Sequence, residues 1–182
     1  MAGRKDFEAK LISLLPRLRR FAIGLSGSID EGHDLVQAAC LKAIEKRHQW
    51  NPDSKLDSWI YRIVLTQWLD RRKSAAMRLN VPGDQHWDNI AGPSMQSELE
   101  SREELKKTWS AIRELPEDQR QVLLLVAVEG LSYQEAADLL GIPIGTVMSR
   151  LARSRLALAR NVQNDRVTGK TGSGKPDTEN TG

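Results

Sequence analysis

The sequence has a single cysteine, few aromatic residues and no long hydrophobic run. One thiol, Cys40, excludes an internal disulfide and is typical of a protein in a reducing compartment. No apolar segment approaches the roughly 20 residues that a membrane span requires, and the N-terminus shows no signal peptide. These absences predict a cytoplasmic protein without membrane insertion.

Residues suited to catalysis or to metal binding are scattered along the chain. The histidines and Cys40 lack metal-ligand spacing, and no clustered carboxylates or nucleophile–base pair occur. Residues 169–175 resemble a Walker A loop, but Pro176 stands at its Ser/Thr position and no apolar strand precedes it. We therefore predict no catalytic residue, no metal and no cofactor, which argues against a nucleic-acid enzyme.

A helix-turn-helix is predicted towards the C-terminus. Pro116 opens one helix, and Gly130 ends it as a C-terminal glycine does. Ser132 and Glu135 have the spacing of a capping box, in which each side chain binds the backbone amide of the other residue. A short helix therefore begins there and stops at Gly141, before a tight turn leads into a longer helix.

The longer helix separates an apolar side from a cationic side. With Val147 at zero on a wheel of about 100° per residue, Leu151, Ser154 and Leu158 lie on the buried side. The opposite side holds Thr146, Ser149, Arg150, Arg153 and Arg160. A helix fits the major groove of duplex DNA, where arginine binds guanine edges and hydroxyls bind bases or phosphates. These five residues are the predicted readers of DNA, the alternative being a solvated cationic face.

The first half is predicted to form a second helical domain. Apolar residues recur every three or four positions from Phe7 to Leu25, in one helix or in two pieces joined near Pro16. A second helix, capped by Ser28 or Asp30, follows. A third helix begins near residue 57 or 58 and runs to about residue 73.

One stripe of the third helix combines an aromatic ring, cations and a hydroxyl. It holds Trp59, Arg62, Thr66, Asp70 and Lys73. Such a stripe is typical of a platform for unpaired bases, where stacking contributes about 1–3 kcal/mol per base. A core position is the alternative for Trp59 taken alone, and Tyr61 and Trp68 are predicted to lie in the core.

Six short motifs occur in the order found in one protein family. They are Asp34–Gln37, Trp59–Ile63, Asp70–Arg72, Leu115–Pro116, Glu129–Ser132 and Gly145–Arg150. Together they resemble bacterial RNA polymerase sigma factors of the extracytoplasmic function (ECF) group of the sigma-70 family. The resemblance implies an all-α fold with two small helical domains, sigma regions 2 and 4, joined by a flexible linker.

The resemblance also implies a role for each set of residues. Asp34, Leu35, Val36 and Gln37 would dock on core RNA polymerase. Ser54, Trp59, Arg62, Thr66 and Lys73 would hold unpaired bases of the promoter −10 element. The five residues of the last helix would read the −35 element as duplex. The implied partners are core polymerase, promoter DNA and an anti-sigma factor.

The predicted boundaries are 5–75 for region 2, 76–100 for the linker, 101–160 for region 4 and 161–182 for a disordered tail. The predicted function is promoter-specific transcription initiation with core polymerase. The alternative is a stand-alone helix-turn-helix regulator whose first half binds an effector or dimerises. Because unstacking costs a few kcal/mol per base step, the free chain is predicted to bind DNA weakly.

Overall fold

The computed structural model describes residues 2–78 and 108–168, whose regular structure is entirely helical. The helices are α1 (Ala2–Ser26), α2 (Ile29–Glu45), α3 (Leu56–Arg78), α4 (108–113), α5 (Glu117–Leu123), α6 (Tyr133–Leu140) and α7 (Ile144–Thr168). A 3-10 turn at Arg47–Gln49 follows α2, and a π turn at Leu124–Val128 continues α5. The prediction of an all-α fold with two helical domains is confirmed. Most of the predicted linker lies outside the described residues.

The first domain consists of α1, α2 and α3. Helix α1 is a single helix that contains Pro16. Gly27 follows its end with a φ of 73°. The Ser28 hydroxyl accepts a hydrogen bond from the Glu31 amide at 3.4 Å, so Ser28 rather than Asp30 caps α2. The predicted core residues of α3 are buried, including Tyr61.

The second domain contains the predicted helix-turn-helix. Ser132 and Glu135 form both halves of the capping box, and Gly141 ends α6 in the left-handed conformation with a φ of 67°. In α7, Val147, Leu151 and Ser154 are buried as the wheel predicts, and Leu158 is half-buried.

Helix α7 continues to Thr168, so the predicted disordered tail is wrong for residues 161–168. No glycine or proline occurs between Gly145 and Gly169, and the polar composition alone does not end a helix.

The two domains pack against each other through α1 and α3. Buried apolar residues of both domains form one continuous cluster. At Gly24 of α1, an added Cβ would lie 2.7 Å from Leu124 and 2.9 Å from Trp109, both in the second domain. The absence of a side chain at Gly24 therefore allows this close approach. Within the described residues, none of the helices has the length and apolar character of a membrane span.

Candidate nucleic-acid interface

The predicted duplex reader is the side of α7 that faces away from its buried seam. Arg153 and Arg160 are exposed, while Thr146, Ser149 and Arg150 are half-buried. The Ser149 hydroxyl donates to the Thr146 carbonyl at 3.1 Å. The structure thus places all five predicted readers at the surface of one helix.

Arg150 differs from the other two arginines because it has an acidic neighbour. Its Nε lies 3.0 Å from a carboxylate oxygen of Asp118 in α5. Binding to a base or phosphate would require Arg150 to exchange this partner. Arg153 and Arg160 therefore form the more open part of the cationic face.

An exposed apolar stripe of α7 was not recognised from the sequence. Ile144, Met148 and Leu156 are 43%, 52% and 60% exposed. They lie on the side of α7 between the buried seam and the arginines. Their spacing of four and eight residues is the signal that could have revealed it.

The predicted single-strand platform lies on α3 and the loop before it. Trp59 is half-buried, with its ring edge-on to Phe7 at a centroid distance of 6.3 Å. Arg62, Thr66 and Lys73 are exposed, and Ser54 lies in the exposed loop. The Thr66 hydroxyl donates to the Arg62 carbonyl at 2.8 Å, and the Ser54 hydroxyl to the Asn51 carbonyl at 2.7 Å. Helix geometry thus groups Trp59, Arg62 and Thr66 on one face.

This platform borders an open cleft of about 360 Å³ between the two domains. One wall consists of the loop and α3, including Ser54, Trp59 and Arg62; the other consists of Glu135, Asp138 and Leu139 in α6. The Arg62 guanidinium donates to the Asp138 carbonyl at 3.0 Å. The cationic side chain expected to hold single-stranded DNA therefore binds the second domain instead.

A salt bridge crosses the same cleft. The Lys55 ammonium lies 2.5 Å from a carboxylate oxygen of Glu135. This hydrogen bond, together with those from the Ser132 amide and hydroxyl, lowers the pKa of Glu135 to about 2. Glu135 thus has two roles, since it caps α6 and also binds Lys55 of the first domain.

The most buried polar contact between the domains centres on Glu129, a contact that the sequence does not predict. The Glu129 side chain has zero exposure. Its carboxylate accepts hydrogen bonds from the Tyr61 hydroxyl at 2.5 Å, from Arg17 at 3.2 Å and from Arg20 at 3.3 Å. Burial, with the hydrogen bond to Glu129 as a second cause, raises the pKa of Tyr61 well above its ordinary value.

The predicted polymerase-docking segment is only partly at the surface. Asp34 and Gln37 are exposed, but Leu35 and Val36 are buried in the core of the first domain. Leu35 and Val36 pack α2 against its neighbours, so Asp34 and Gln37 are the exposed part of the predicted segment. Their spacing to Ala39 follows the periodicity of the core side of a helix.

Two further kinds of site considered in the sequence are a metal site and a nucleotide site. Within residues 2–78 and 108–168, no group of three or more His, Cys, Asp or Glu side chains is placed to hold a metal ion. The segment resembling a Walker A loop lies outside the described residues.

Two family models match separate parts of the chain. The model of sigma-70 region 4 matches residues 105–158, and the model of the Sigma2 domain of PhyR matches residues 11–65. The first contains the helix-turn-helix, and the second contains most of α1, all of α2 and the first half of α3.

Curated relatives show similarity along most of the chain. The ECF RNA polymerase sigma factor EcfG of Rhodopseudomonas palustris is 34% identical over 150 residues, which cover 82% of this chain and 81% of the relative. The ECF RNA polymerase sigma-E factor of Escherichia coli K12 is 32% identical over 142 residues, which cover 71% of this chain and 73% of the relative.

Solved structures show the same arrangement of helices. The sigma factor RpoE of Bartonella quintana, in complex with the anti-sigma factor NepR, matches with a TM-score of 0.72 at 30% identity and covers 87% of this chain and 98% of its own. CnrH, in complex with the cytosolic domain of CnrY, matches in fold, with a TM-score of 0.65 at 23% identity over 88% of this chain and 90% of its own.

Proposed function

The chain belongs to the ECF group of the sigma-70 family of RNA polymerase sigma factors, and we propose that its two domains bind different forms of promoter DNA. The observation that carries this proposal is the presence of two chemically distinct surfaces. One is a helix with exposed arginines in a helix-turn-helix, and the other is a helix stripe with Trp59, Arg62 and Thr66. Both halves match sigma-factor domains, so a stand-alone regulator is not favoured.

The second domain, proposed as region 4 over residues 101–160, would read the −35 element as duplex. Thr146, Ser149, Arg150, Arg153 and Arg160 would meet the major groove. Arginine can bind a guanine edge through two hydrogen bonds, which gives specificity, and its other contacts with phosphates add affinity.

The first domain, proposed as region 2 over residues 5–75, would capture the melted −10 element. Trp59 would stack on an unpaired base, while Arg62, Lys73, Thr66 and Ser54 would bind the backbone and base edges. Stacking on an aromatic ring contributes about 1–3 kcal/mol per base, which offsets part of the cost of unstacking the duplex.

Core RNA polymerase would bind both domains, so that binding of the −35 duplex and capture of the −10 bases occur together. The exposed Asp34 and Gln37 are the proposed docking residues on α2. Binding through both domains raises the effective concentration of each DNA-binding surface near its element, so neither contact alone has to be strong. The chain itself would make or break no covalent bond.

An anti-sigma factor is the proposed negative regulator. The support is that the sigma factor RpoE of Bartonella quintana, 30% identical to this chain, was solved in complex with the anti-sigma factor NepR. Because sigma factors act on RNA polymerase, we place the activity in the cytoplasm.

The test is run-off transcription with core polymerase on a genomic library. The wild-type chain should produce transcripts from a defined set of promoters. The charge reversals Arg150→Glu and Arg153→Glu should abolish them, while Lys5→Glu, a reversal at an exposed position of α1, should leave them unchanged. Failure of the wild-type chain to bind core polymerase would refute the proposed function.

A further inference from the structure

An acidic side chain lies beside the cationic side of α7. Asp118 belongs to the first turn of α5, and its side chain is 46% exposed. One of its carboxylate oxygens lies 3.0 Å from the Nε of Arg150, and the other accepts a hydrogen bond from the Gln119 amide at 2.9 Å. The carboxylate is therefore fixed by its own helix while it binds the helix proposed to read DNA.

This contact distinguishes Arg150 from Arg153, the next arginine of the same face. Arg153 is exposed, and within residues 2–78 and 108–168 no carboxylate forms an ion pair with it. The two arginines thus share the cationic side of α7 but differ in net charge. Arg153 presents a free cation, whereas Arg150 and Asp118 together form a neutral pair.

The neutral pair has a different affinity for each of the two kinds of acceptor in duplex DNA. A phosphate is an anion, so Arg150 would exchange one anion for another and leave Asp118 uncompensated beside the negative backbone. A guanine edge carries no net charge, and it offers two acceptors, O6 and N7, to a single guanidinium. Exchange of Asp118 is therefore unfavourable for a phosphate, but it gains a second hydrogen bond at guanine.

We propose that Asp118 is a specificity-determining residue of the −35 contact, which prevents Arg150 from binding phosphates and leaves it available to a guanine edge. Asp118 acts through Arg150 and is a positioning residue. Arg153, without such a partner in the described part of the chain, contributes affinity for any sequence. The proposal rests on the proposed function, because it assigns a source of specificity to the same side of α7.

The proposal predicts a change in the salt dependence of DNA binding. Asp118→Asn keeps the size of the side chain and an oxygen for the Gln119 amide, but it removes the charge that neutralises Arg150. Each phosphate that a protein neutralises steepens the plot of log K against log salt by about 0.9. We expect this steepening in Asp118→Asn, so the affinity lost between about 50 and about 200 mM salt should grow by about 3.5-fold.

The first measurement is the binding of the full-length chain to a fluorescent mixed-sequence duplex, followed by anisotropy over a range of salt concentrations. Weak binding is measurable at low salt, where phosphate contacts are strongest. Arg153→Gln should flatten the salt dependence by about 0.9, because its free cation is lost. The double variant Asp118→Asn with Arg150→Gln should keep the wild-type salt dependence, because one neutral pair replaces another.

The second measurement is the ratio of two binding constants, one for a promoter duplex recovered by run-off transcription and one for the mixed-sequence duplex. Asp118→Asn should lower this ratio about threefold, the size expected for a partly exposed ion pair. The double variant should bind the promoter duplex more weakly than the wild type and the mixed-sequence duplex equally well. A loss confined to the promoter duplex is the expected result of removing a base contact.

Matched variants separate this role from charge and folding. Glu45→Gln removes the same charge at a position of α2 that is 69% exposed, and it should leave both readouts unchanged. Asp118→Ser removes the charge of Asp118 with a different side chain and should steepen the salt dependence as Asp118→Asn does. Far-UV circular dichroism establishes that each variant keeps its helices.

Three outcomes would overturn the proposal. The first is a folded Asp118→Asn and a folded Asp118→Ser with the wild-type salt dependence. The second is an equal steepening in the double variant, which would show that Asp118 does not act through Arg150. The third is an equal steepening in Glu45→Gln, which would reduce the effect to net charge. A failure of the proposed function is distinguishable, because it appears as a wild-type chain that does not bind core polymerase, whereas the salt dependence is measured without polymerase.

Discussion

The hydrogen bond between Tyr61 and Glu129 joins the two domains, and its contribution to stability can be measured by removing a single oxygen atom. Tyr61→Phe removes only the hydroxyl, which lies 2.5 Å from the Glu129 carboxylate in a buried environment. Hydrogen bonds to charged groups contribute about 1.5–3 kcal/mol. Because Arg17 and Arg20 still bind the carboxylate in this variant, we expect a value of about 1.5 kcal/mol.

A double-mutant cycle in urea isolates this value. The free energy of unfolding is measured by circular dichroism for the wild type, Tyr61→Phe, Glu129→Gln and the double variant. If the two groups bind each other, the two single losses in unfolding free energy should add up to more than the loss in the double variant. We expect this difference to be about 1 kcal/mol or more. The control cycle of Tyr61→Phe with Glu45→Gln should be additive. Additivity within about 0.5 kcal/mol in the Tyr61–Glu129 cycle would refute a direct contact.

Three further changes test other parts of the molecule. Ser132→Ala should lower the unfolding free energy by about 1 kcal/mol in thermal melts, since it removes the cap of α6. Gly141→Ala should cost about 1 kcal/mol in the same assay, because its φ of 67° disfavours a Cβ although no atom lies within 4 Å of it. Glu135 has a folded pKa of about 2 against 4.5 unfolded, so its contribution is complete above pH 4.5 and declines as pH falls towards 2. The difference in melting temperature between wild type and Glu135→Gln should therefore shrink from pH 6 to pH 3, and a constant difference would contradict the assigned pKa.

Local structure in this chain was predictable where single residues control the backbone. Ser132 with Glu135 fixed the start of α6, and Gly141 fixed its end, because capping and left-handed geometry depend on residues close in sequence. The wheel of α7 also predicted the buried side correctly, since 3.6-residue periodicity follows from the helix alone. The end of α7 differs from the prediction, because a polar composition does not end a helix in which no helix-breaking residue occurs.

The contact around Glu129 could not be predicted because its parts are distant in sequence. Tyr61 lies 68 residues from Glu129 and Arg17 lies 112 residues from it. No periodicity or spacing links such positions, and a glutamate before a glycine at a helix end is ordinarily solvated. Leu35 and Val36 differ, because their spacing to the buried Ala39 indicates a core position from the sequence alone.

The two proposed DNA-binding surfaces differ in the contacts that they make within the described structure. Arg153 and Arg160 of α7 remain exposed, whereas Arg62 binds α6 and Trp59 lies in the cleft between the domains. Arg62 would have to exchange the Asp138 carbonyl for DNA, whereas Arg153 and Arg160 already face solvent. The proposed capture of unpaired bases by Arg62 therefore requires a change at the contact between the domains, whereas the proposed contact of Arg153 and Arg160 with duplex does not.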